Sequence, residues 1–254
     1  MPARGDLPEG APAWIDLGAR DLDAAVAFYT GLFGWEHMSF GEEFGNYGQF
    51  LLSGAPVAGV GPLMDETQPA AWGVYLWSTD ADATAARVRE HGGTVLLPPD
   101  DVPGQGRFLM TVDPTGAPVA FWQAYEHRGF GTVAEAGAPA WFELWTNDYD
   151  RAVAYYRDVA GWDAHEMPND EGYRYTTHGE GDDSYAGIYD ATSDLGEQGT
   201  PSWVVYLGSA DVDASAARAR ELGGTVQGEP QDTPYGRMVA VQDPNGASFQ
   251  LISV

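Results

Sequence analysis

The stretch APAWIDLGARDLDAAVAFYTGLFGW runs from Ala11 to Trp35 and returns as APAWFELWTNDYDRAVAYYRDVAGW from Ala138 to Trp162. Of its 25 positions, 13 are identical by direct count. A second pair, WGVYLWSTDADATAARVREHGGTV from Trp72 and WVVYLGSADVDASAARARELGGTV from Trp203, shares 17 of 24 positions. Because self-similarity at a fixed spacing marks a repeated structural unit, the chain is predicted to be an internal duplication.

A weaker repeat divides each half again. An aromatic strand, an Asp-x-Asp pair, an Ala-rich stretch and a glycine stop occur four times, with the pairs beginning at Asp21, Asp80, Asp148 and Asp211. Carboxylates favour a helix N-terminus, and glycine favours the left-handed residue that ends a helix. Short alternating runs separated by turn residues follow each helix and predict strands. The unit is therefore β-α-β-β-β, and the fold class is α+β.

Composition limits what such a chain can bind. The 254 residues are 44% hydrophobic, which is enough for a sizeable core. Acidic residues outnumber basic ones by 38 to 12, so the formal net charge is -26 and the surface repels nucleic-acid phosphates and anionic lipid. We therefore expect neither a nucleic acid nor a membrane as a partner.

Two missing residue types exclude further classes of chemistry. The chain has no Cys, which removes thiol nucleophiles, disulfides and thiolate metal sites, and no Lys, which removes Schiff-base and P-loop lysines. No apolar run is long enough to span a bilayer, and the opening MPARGDLPEG lacks the apolar stretch of a secretory signal. A cytoplasmic location is expected.

These motifs, in this order, resemble the vicinal oxygen chelate superfamily of glyoxalases, bleomycin-resistance proteins and extradiol dioxygenases. The resemblance rests on the strand-Asp-AFY/AYY-GW segments, the Asp-x-Asp-to-Gly-Gly segments and the DPTG and DPNG tails. It implies four βαβββ modules paired into two domains, each a curled mixed sheet around a cleft with helices outside. The domains are expected at 1–126 and 138–254, joined by a linker at 127–137. Within the family, the chain resembles tandem actinobacterial members, some of them encoded in aromatic polyketide pathways.

The resemblance also implies where a divalent metal would be held. The first-strand ligand positions of the four modules fall on Trp14, Gly73, Trp141 and Val204, and the last-strand positions on Ala120 and Gln250. An indole cannot ligate a metal, and Gly, Val and Ala offer no side-chain donor. We therefore expect no cofactor and no metal ligands, although a divalent metal is left open.

Strand alternation indicates what the two clefts hold instead, because residues two apart share a face. The first cleft is predicted to be lined by Trp14, Asp16, Tyr75, Trp77 and Trp122. The second is predicted to be lined by Trp141, Glu143, Trp145, Tyr206 and Gln250. Indole and phenol faces suit flat conjugated ligands, and the carboxylates can orient a polar substituent. The repeat partners of Trp77 and Trp145 are Gly208 and Gly18, which favours a cavity-facing position for both tryptophans.

Two functions remain open. The first is a protein that binds a small flat aromatic metabolite, of antibiotic or polyketide type, for sequestration, delivery or tailoring. The alternative is an enzyme of the superfamily, of lyase, isomerase, dioxygenase or hydroxylase type, using Glu143 or Asp16 in acid–base chemistry or an atypical metal site from Glu143, His178 and Gln250. The expected partner is a small aromatic molecule, and the protein is expected to be a monomer or homodimer. The recurring tryptophans could instead be packing residues, and Asp16 and Glu143 could be paired structural carboxylates.

Overall fold

The predicted β-α-β-β-β order is present in all four repeats of the computed structural model, which describes residues 7–63, 65, 67–168 and 172–254. The first six residues, on which the expectation of no secretory signal partly depends, lie outside the described residues. Within the described ranges, none of the helices has the length and apolar character needed to cross a membrane.

Among the described residues, each half contains eight strands and two long helices. The first half comprises β1 (Pro12–Ala19), α1 (Leu22–Phe33), β2 (Glu36–Ser39), β3 (Gly48–Leu52), β4 (Ala55–Pro62), β5 (Ala71–Trp77), α2 (Ala81–Glu90), β6 (Thr94–Val102), β7 (Gly106–Val112) and β8 (Pro118–Ala124). The second half comprises β9 (Pro139–Thr146), α3 (Tyr149–Ala160), β10 (Ala164–Glu166), β11 (Tyr175–His178), β12 (Ala186–Asp190), the short α4 (Thr192–Leu195), β13 (Ser202–Ser209), α5 (Val212–Glu221), β14 (Thr225–Thr233), β15 (Gly236–Gln242) and β16 (Ser248–Ser253).

The Asp-x-Asp pairs begin the helices as predicted. Asp21, Asp80 and Asp211 each accept a hydrogen bond from the backbone N–H three residues later, which satisfies one of the free donors of the first turn. Asp148 begins α3 without such a bond. The helices α1 and α3 end at glycines in the left-handed conformation, which a residue with a Cβ adopts only at a cost.

Two eight-stranded sheets follow the two halves of the sequence. The strand order is β2-β3-β4-β1-β5-β8-β7-β6 in the first and β10-β11-β12-β9-β13-β16-β15-β14 in the second. Four pairs are parallel, β1 with β4, β5 with β8, β9 with β12 and β13 with β16, and hairpins supply antiparallel pairs. The sheets are mixed, and the predicted α+β class is confirmed.

The compact units of the chain do not coincide with the halves. One unit gathers residues 1–14, 74–129 and 142–203, and the other gathers residues 15–73, 130–141 and 204–254. In the first unit α2 packs against α3, and in the second α1 packs against α5. Helix packing within each unit therefore joins modules from different halves of the sequence. Separate folding of 1–126 and 138–254 stays a prediction for half-chain constructs.

Each unit has a buried tyrosine at its helix contact. In the first unit the Tyr156 hydroxyl donates to Asp113 Oδ2 at 2.9 Å and accepts from Trp203 Nε1 at 2.9 Å. In the second, the Tyr29 hydroxyl accepts from Trp72 Nε1 at 3.1 Å and bonds to the Asp243 carboxylate. Burial raises the pKa of both tyrosines well above the usual value. The AFY/AYY and DPxG motifs thus serve the core, and Trp72 and Trp203 are packing residues.

Candidate functional site

The aromatic residues predicted for the first cleft are partly packed against the linker. Trp14 is buried and meets the His127 ring edge-on, with centroids 4.6 Å apart. Trp122 is also buried, and its Nε1 donates to the His127 carbonyl oxygen at 2.8 Å. Burial lowers the pKa of His127, which keeps the imidazole neutral between the two indoles. These two tryptophans therefore have protein partners already.

Trp77 and Tyr75 keep more exposure, since both are half-buried. The Arg128 guanidinium lies over the Trp77 ring, 5.5 Å from its centroid, which is a cation–π contact. Gly208, the repeat partner of Trp77, was predicted to mark a position that faces a cavity. The structure gives a different reason for a glycine there. A Cβ there would collide with the Glu135 carbonyl oxygen and lie 3.0 Å from Val254, so close backbone approach requires the glycine.

The sheet surface around Asp16 is the more open candidate, and we call it the first face. Asp16 of β1 lies opposite Gly59 of β4, and Gly59 lies opposite Gln49 of β3. Gln49 in turn lies opposite Met38 of β2. Because residues directly opposite each other share a side of the sheet, these four lie on the same side. Phe40 continues the same side beyond β2, stacked on Tyr47 with centroids 6.2 Å apart. Met38 is 41% exposed and Phe40 is 39% exposed. The first face therefore combines apolar side chains with a carboxylate.

Asp16 has a hydrogen-bond partner on this face. The Tyr47 hydroxyl donates to Asp16 Oδ1 at 2.8 Å, and both groups lie against Gly59 where a Cβ would be. In the next row Gly18 pairs with Gly61, and the nearest side chain to the Gly61 position is that of Tyr47, at 3.4 Å. Glycine at 59 and 61 thus leaves room for Tyr47 to lie flat on the sheet and for Asp16 to accept its hydroxyl.

The corresponding surface around Glu143, the second face, has the same plan with different contents. Glu143 lies in register with Gly187, and the Tyr175 ring lies against Gly187 as Tyr47 lies against Gly59. Here, however, the carboxylate is only 7% exposed and the tyrosine 5%. Glu143 accepts a hydrogen bond from Trp145 Nε1. Both groups are therefore far less accessible than their counterparts, which are half-buried.

An aromatic cluster accounts for this burial. Trp145 packs edge-on against Tyr189 with centroids 5.7 Å apart, and Tyr173 stacks on Tyr189 at 5.1 Å and on Tyr175 at 5.6 Å. Three glycines occupy the repeat positions of Trp145, Tyr189 and Tyr173 in the first half: Gly18, Gly61 and Gly45. The second face has three aromatic side chains at positions where the first face has glycines, and there Leu63 Cδ2 lies 3.1 Å from the Cβ position of Gly18.

The other residues predicted for the second cleft belong to the other compact unit. Tyr206 is buried and pairs in register with Gln250, which is half-buried. Trp141 is also half-buried. These three positions carry a phenol, an amide and an indole, and their contact with a ligand stays a prediction.

His178 does not join Glu143, so the atypical metal site from Glu143, His178 and Gln250 is wrong. His178 pairs with Ala186, one residue out of step with the Gly187 row, and its side chain points to the opposite side of the sheet, where it stacks on Trp162 at 5.2 Å. Its Nδ1 accepts from the Asp163 N–H, and its Nε2 lies 3.0 Å from the Glu9 carbonyl oxygen. Burial lowers its pKa, so His178 is a neutral structural residue.

The positions at which the family holds its metal do not suit one here. Trp14 and Ala120 in the first half, and Trp141 and Val204 in the second, have no donor atom for a divalent ion, which leaves the Gln250 amide. Among the described residues, no group of three or more His, Asp and Glu side chains could hold an ion. The donor set therefore disagrees with metal-dependent chemistry at these positions.

Two surface depressions are lined mainly by residues outside the two faces, although His165 of the larger one shares the Glu143 side of its sheet. One of about 730 Å³ is lined by residues that include His165, His178, Glu180 and Tyr185, and a smaller one of about 250 Å³ lies beside α3 at Arg157 and Arg174. Neither contains a predicted ligand-binding residue. The first is rich in carboxylates and contains the fully bonded His178, which makes it a poor site for a flat aromatic ligand.

Sequence reasoning missed several residues of these surfaces. Tyr47 was not predicted, although its recurrence as Tyr175, with glycines following at 59 and 187, is a readable signal. His127 was assigned to the linker without a role. Its position between two tryptophans depends on the path of the linker, and no local pattern shows that path.

Comparisons with known proteins agree with this fold. The family model described as Glyoxalase/Bleomycin resistance protein/Dioxygenase superfamily matches residues 11–121 and again 138–251. The chain is 37% identical to CFP32 of Mycobacterium tuberculosis, a protein whose name assigns it provisionally to the glyoxylases, over 99% of this chain and 98% of that protein. It is 38% identical to the anthracycline biosynthesis protein DnrV of Streptomyces peucetius, over 96% of this chain and 94% of that one.

A solved structure has the same fold at lower sequence similarity. The Mn(II)-bound glyoxalase of Novosphingobium aromaticivorans superposes with a TM-score of 0.67 at 18% identity, covering 97% of this chain and 83% of that one. Similarity at this level of identity supports the architecture alone.

Proposed function

Since the chain belongs to the Glyoxalase/Bleomycin resistance protein/Dioxygenase superfamily, we propose that it binds a small flat aromatic metabolite on the first face, without a metal. The ligand would be of the polyketide or antibiotic type, held for sequestration, delivery or tailoring. This proposal retains the scaffold of the family and replaces metal ligation by stacking and hydrogen bonding.

The observation that carries the proposal is the contrast between the two faces. At three equivalent positions the second half has Trp145, Tyr189 and Tyr173 packed together, and the first half has glycines. A surface that exposes Met38 and Phe40 beside a hydrogen-bonded carboxylate suits a ligand with an apolar plane and a polar substituent.

The relatives support the choice of ligand class. DnrV, at 38% identity across nearly the full length of both chains, is named for anthracycline biosynthesis. An anthracycline carries a planar fused-ring system, which is the kind of ligand proposed for the first face. The predicted contacts Trp14, Tyr75, Trp77 and Trp122 stay candidates for aromatic contacts of their own.

Titration of a planar polycyclic aromatic into the purified protein, followed by tryptophan fluorescence and by calorimetry, tests the proposal. We expect saturable binding with one ligand per chain. Single-ring phenols serve as the control for ring size and should bind weakly. If neither polycyclic nor single-ring compounds bind, the fold assignment stands and the proposed function fails.

The Asp16–Tyr47 pair gives the enzyme alternative one specific support. A carboxylate that accepts a hydrogen bond from a tyrosine on an open surface could accept or return a proton from a bound ligand. Mass spectrometry of the ligand after incubation with the protein separates the two functions. A modified product that disappears in the Asp16→Asn variant would favour the enzyme, and unchanged ligand favours the binding protein.

A further inference from the structure

The strand β2 forms an edge of the first sheet that is less protected against pairing than the other sheet edges. The edge strand β6 contains Pro98 and Pro99, the edge strand β14 contains Pro230, and both pair with irregular register. The edge strand β10 has three residues and ends at Glu166. β2 contains no proline and pairs with β3 without a shift. Prolines, bulges, charges and short length are the usual means of blocking an edge, so β2 is the edge most open to another strand.

Exposed apolar side chains gather at the same edge. Met38 and Phe40 are exposed, and so is Phe44, at 59%, whose ring meets Phe40 edge-on with centroids 6.3 Å apart. In the second half the repeat position of Met38 holds His165, and Glu166 follows it. The edge of the second sheet is therefore polar where the edge of the first is apolar, and an exposed apolar cluster on an open edge indicates a contact with another chain.

The backbone of β2 fixes which residues can pair outward. The Phe40 N–H donates to the Tyr47 carbonyl oxygen at 3.0 Å, which bonds Phe40 toward β3. Inward and outward bonding alternate along an antiparallel strand, so Met38 also bonds inward, while the N–H and C=O groups of His37 and Ser39 point outward. β2 ends its sheet in the described part of the chain, and these four groups have no strand partner there.

We propose that a second copy of this chain pairs with β2, antiparallel and about a two-fold axis at Met38. In this register His37 lies opposite the partner's Ser39, so the outward groups of both copies form four hydrogen bonds. The two Met38 side chains lie opposite each other, and Phe40 lies diagonally across from the partner's Met38. The register that satisfies the backbone therefore also brings the exposed apolar side chains of one copy against those of the other.

The charges of β2 are compatible with this register. Glu36 lies opposite the partner's Phe40, so the two Glu36 carboxylates stand four residues apart along the strands, which is about 14 Å. That separation exceeds the screening length of about 8 Å at physiological ionic strength. The net charge of -26 still opposes association of two copies at long range, so the contact should tighten as salt rises.

The pairing extends one side of the sheet across both copies. Met38 shares that side with Gln49, Gly59 and Asp16, so the two first faces become one continuous surface. The contacts join the side chains at the sheet edge, and the surface above the sheet stays accessible. An edge of four residues and its apolar neighbours form a small interface, which suits a transient dimer, and the pairing does not depend on ligand binding.

Sedimentation equilibrium of the full chain, from about 10 μM to about 1 mM and at low and high salt, tests the pairing. We expect a monomer–dimer equilibrium that tightens with salt. Ser39→Pro removes an outward N–H and keeps the bonds to β3, and it should weaken the dimer at least about ten-fold, since two of four hydrogen bonds are lost. The matched control Glu166→Pro, at the repeat position on β10, should leave the dimer unchanged.

Met38→Glu keeps the backbone and places like charges opposite each other, so it should weaken the dimer as well. It decides the question if thermal unfolding shows that Ser39→Pro has failed to fold. A native chain that stays monomeric at every concentration leaves the edge to a different partner and overturns the proposal. A dimer that survives both substitutions, that is lost equally in Glu166→Pro, or that weakens with salt uses another surface or ion pairs, and overturns it too.

Discussion

The first and second faces come from the same repeated unit, yet one is open and the other is closed. Both have a carboxylate in register with a glycine and a tyrosine lying over that glycine, as Asp16, Gly59 and Tyr47 or as Glu143, Gly187 and Tyr175. The conserved geometry is a property of the scaffold. The difference lies in the side chains on this scaffold, because three repeat positions that carry aromatic residues in the second half carry glycines in the first.

This comparison shows how a duplicated fold can keep two sheets whose equivalent surfaces differ in burial. Filling the second face with Trp145, Tyr189 and Tyr173 buries aromatic area, which stabilises that half. Leaving the first face empty forgoes that stabilisation. The proposed ligand would restore the missing contacts, so binding should also raise the unfolding temperature of the protein.

The largest expected effect comes from filling the first face with the residue of the second. Gly61→Tyr copies Tyr189, and Gly61 has an ordinary strand backbone whose added Cβ would be 3.4 Å from Tyr47, a normal contact. We expect the affinity for a planar aromatic to fall about 100-fold, the size of a binding hot spot. Fluorescence titration measures this.

The matched control is Tyr189→Gly in the other half. It opens the second face and should leave the affinity at the first face unchanged while it lowers thermal stability. Native affinity in Gly61→Tyr would mean that the ligand does not use the first face.

A smaller effect is expected from removing the buried tyrosine hydroxyl at each helix contact, and it tests whether the two contacts are equivalent. Tyr156→Phe removes the donor to the buried Asp113, and Tyr29→Phe removes the equivalent group beside Asp243. Each should lower the free energy of unfolding by about 1–3 kcal/mol, the cost of an unpaired buried polar group. Urea denaturation of both variants checks this, and a loss in only one of them would show that the helix contacts are not equivalent.

Acid sensitivity should differ between the halves, because His178 occupies the repeat position of Phe50. Phe50 packs on Trp35 in a tilted arrangement with centroids 5.1 Å apart, and His178 stacks on the equivalent Trp162 with centroids 5.2 Å apart. Burial is the largest effect on the pKa of His178 and lowers it, and the nearby His165 lowers it further. The hydrogen bonds to Glu9 and Asp163 and the Asp163 charge raise it, but by less. The unfolded state therefore binds more protons, and stability is lost as pH falls below the unfolded value of about 6.5.

His178→Phe should reduce this loss. Urea denaturation at pH 7 and pH 5 measures the difference in unfolding free energy for the native chain and for the variant. We expect a lower stability at pH 7, since two hydrogen bonds are removed, and a smaller decrease between the two pH values. An unchanged decrease would assign the acid sensitivity to other groups, such as His127.

Removal of metal ions is expected to have no effect on ligand binding, and the reason is a feature that both halves share. Trp14 and Trp141 stand at the same position in both halves, where the family would place a metal ligand. Chelation should therefore leave ligand binding unchanged, and elemental analysis should find no stoichiometric transition metal. One tightly held zinc, nickel, iron or manganese ion per chain would contradict this and favour the enzyme.

Much of the fold followed from local chemistry. The Asp-x-Asp caps, the glycine stops and the alternation of β1 and β9 predicted the elements, because capping and burial act within a few residues. The repeat added the module order. The pairing of Asp16 with Tyr47 was not predicted, because Asp16 lies on β1 and Tyr47 directly precedes β3, and the two meet only through the register of β1, β3 and β4.

The sequence by itself determined that this protein is a duplication of βαβββ modules and that it carries a strongly negative charge. That indoles stand at metal-ligand positions is what the resemblance implies, and it stays a prediction. Only the tertiary structure decided that His178 and Glu143 lie on opposite sides of one sheet, that His127 packs between two tryptophans, and that one of two equivalent faces is filled. The reason is physical. Composition and period are local properties of the chain, whereas exposure depends on which distant strands and linkers pack over a surface.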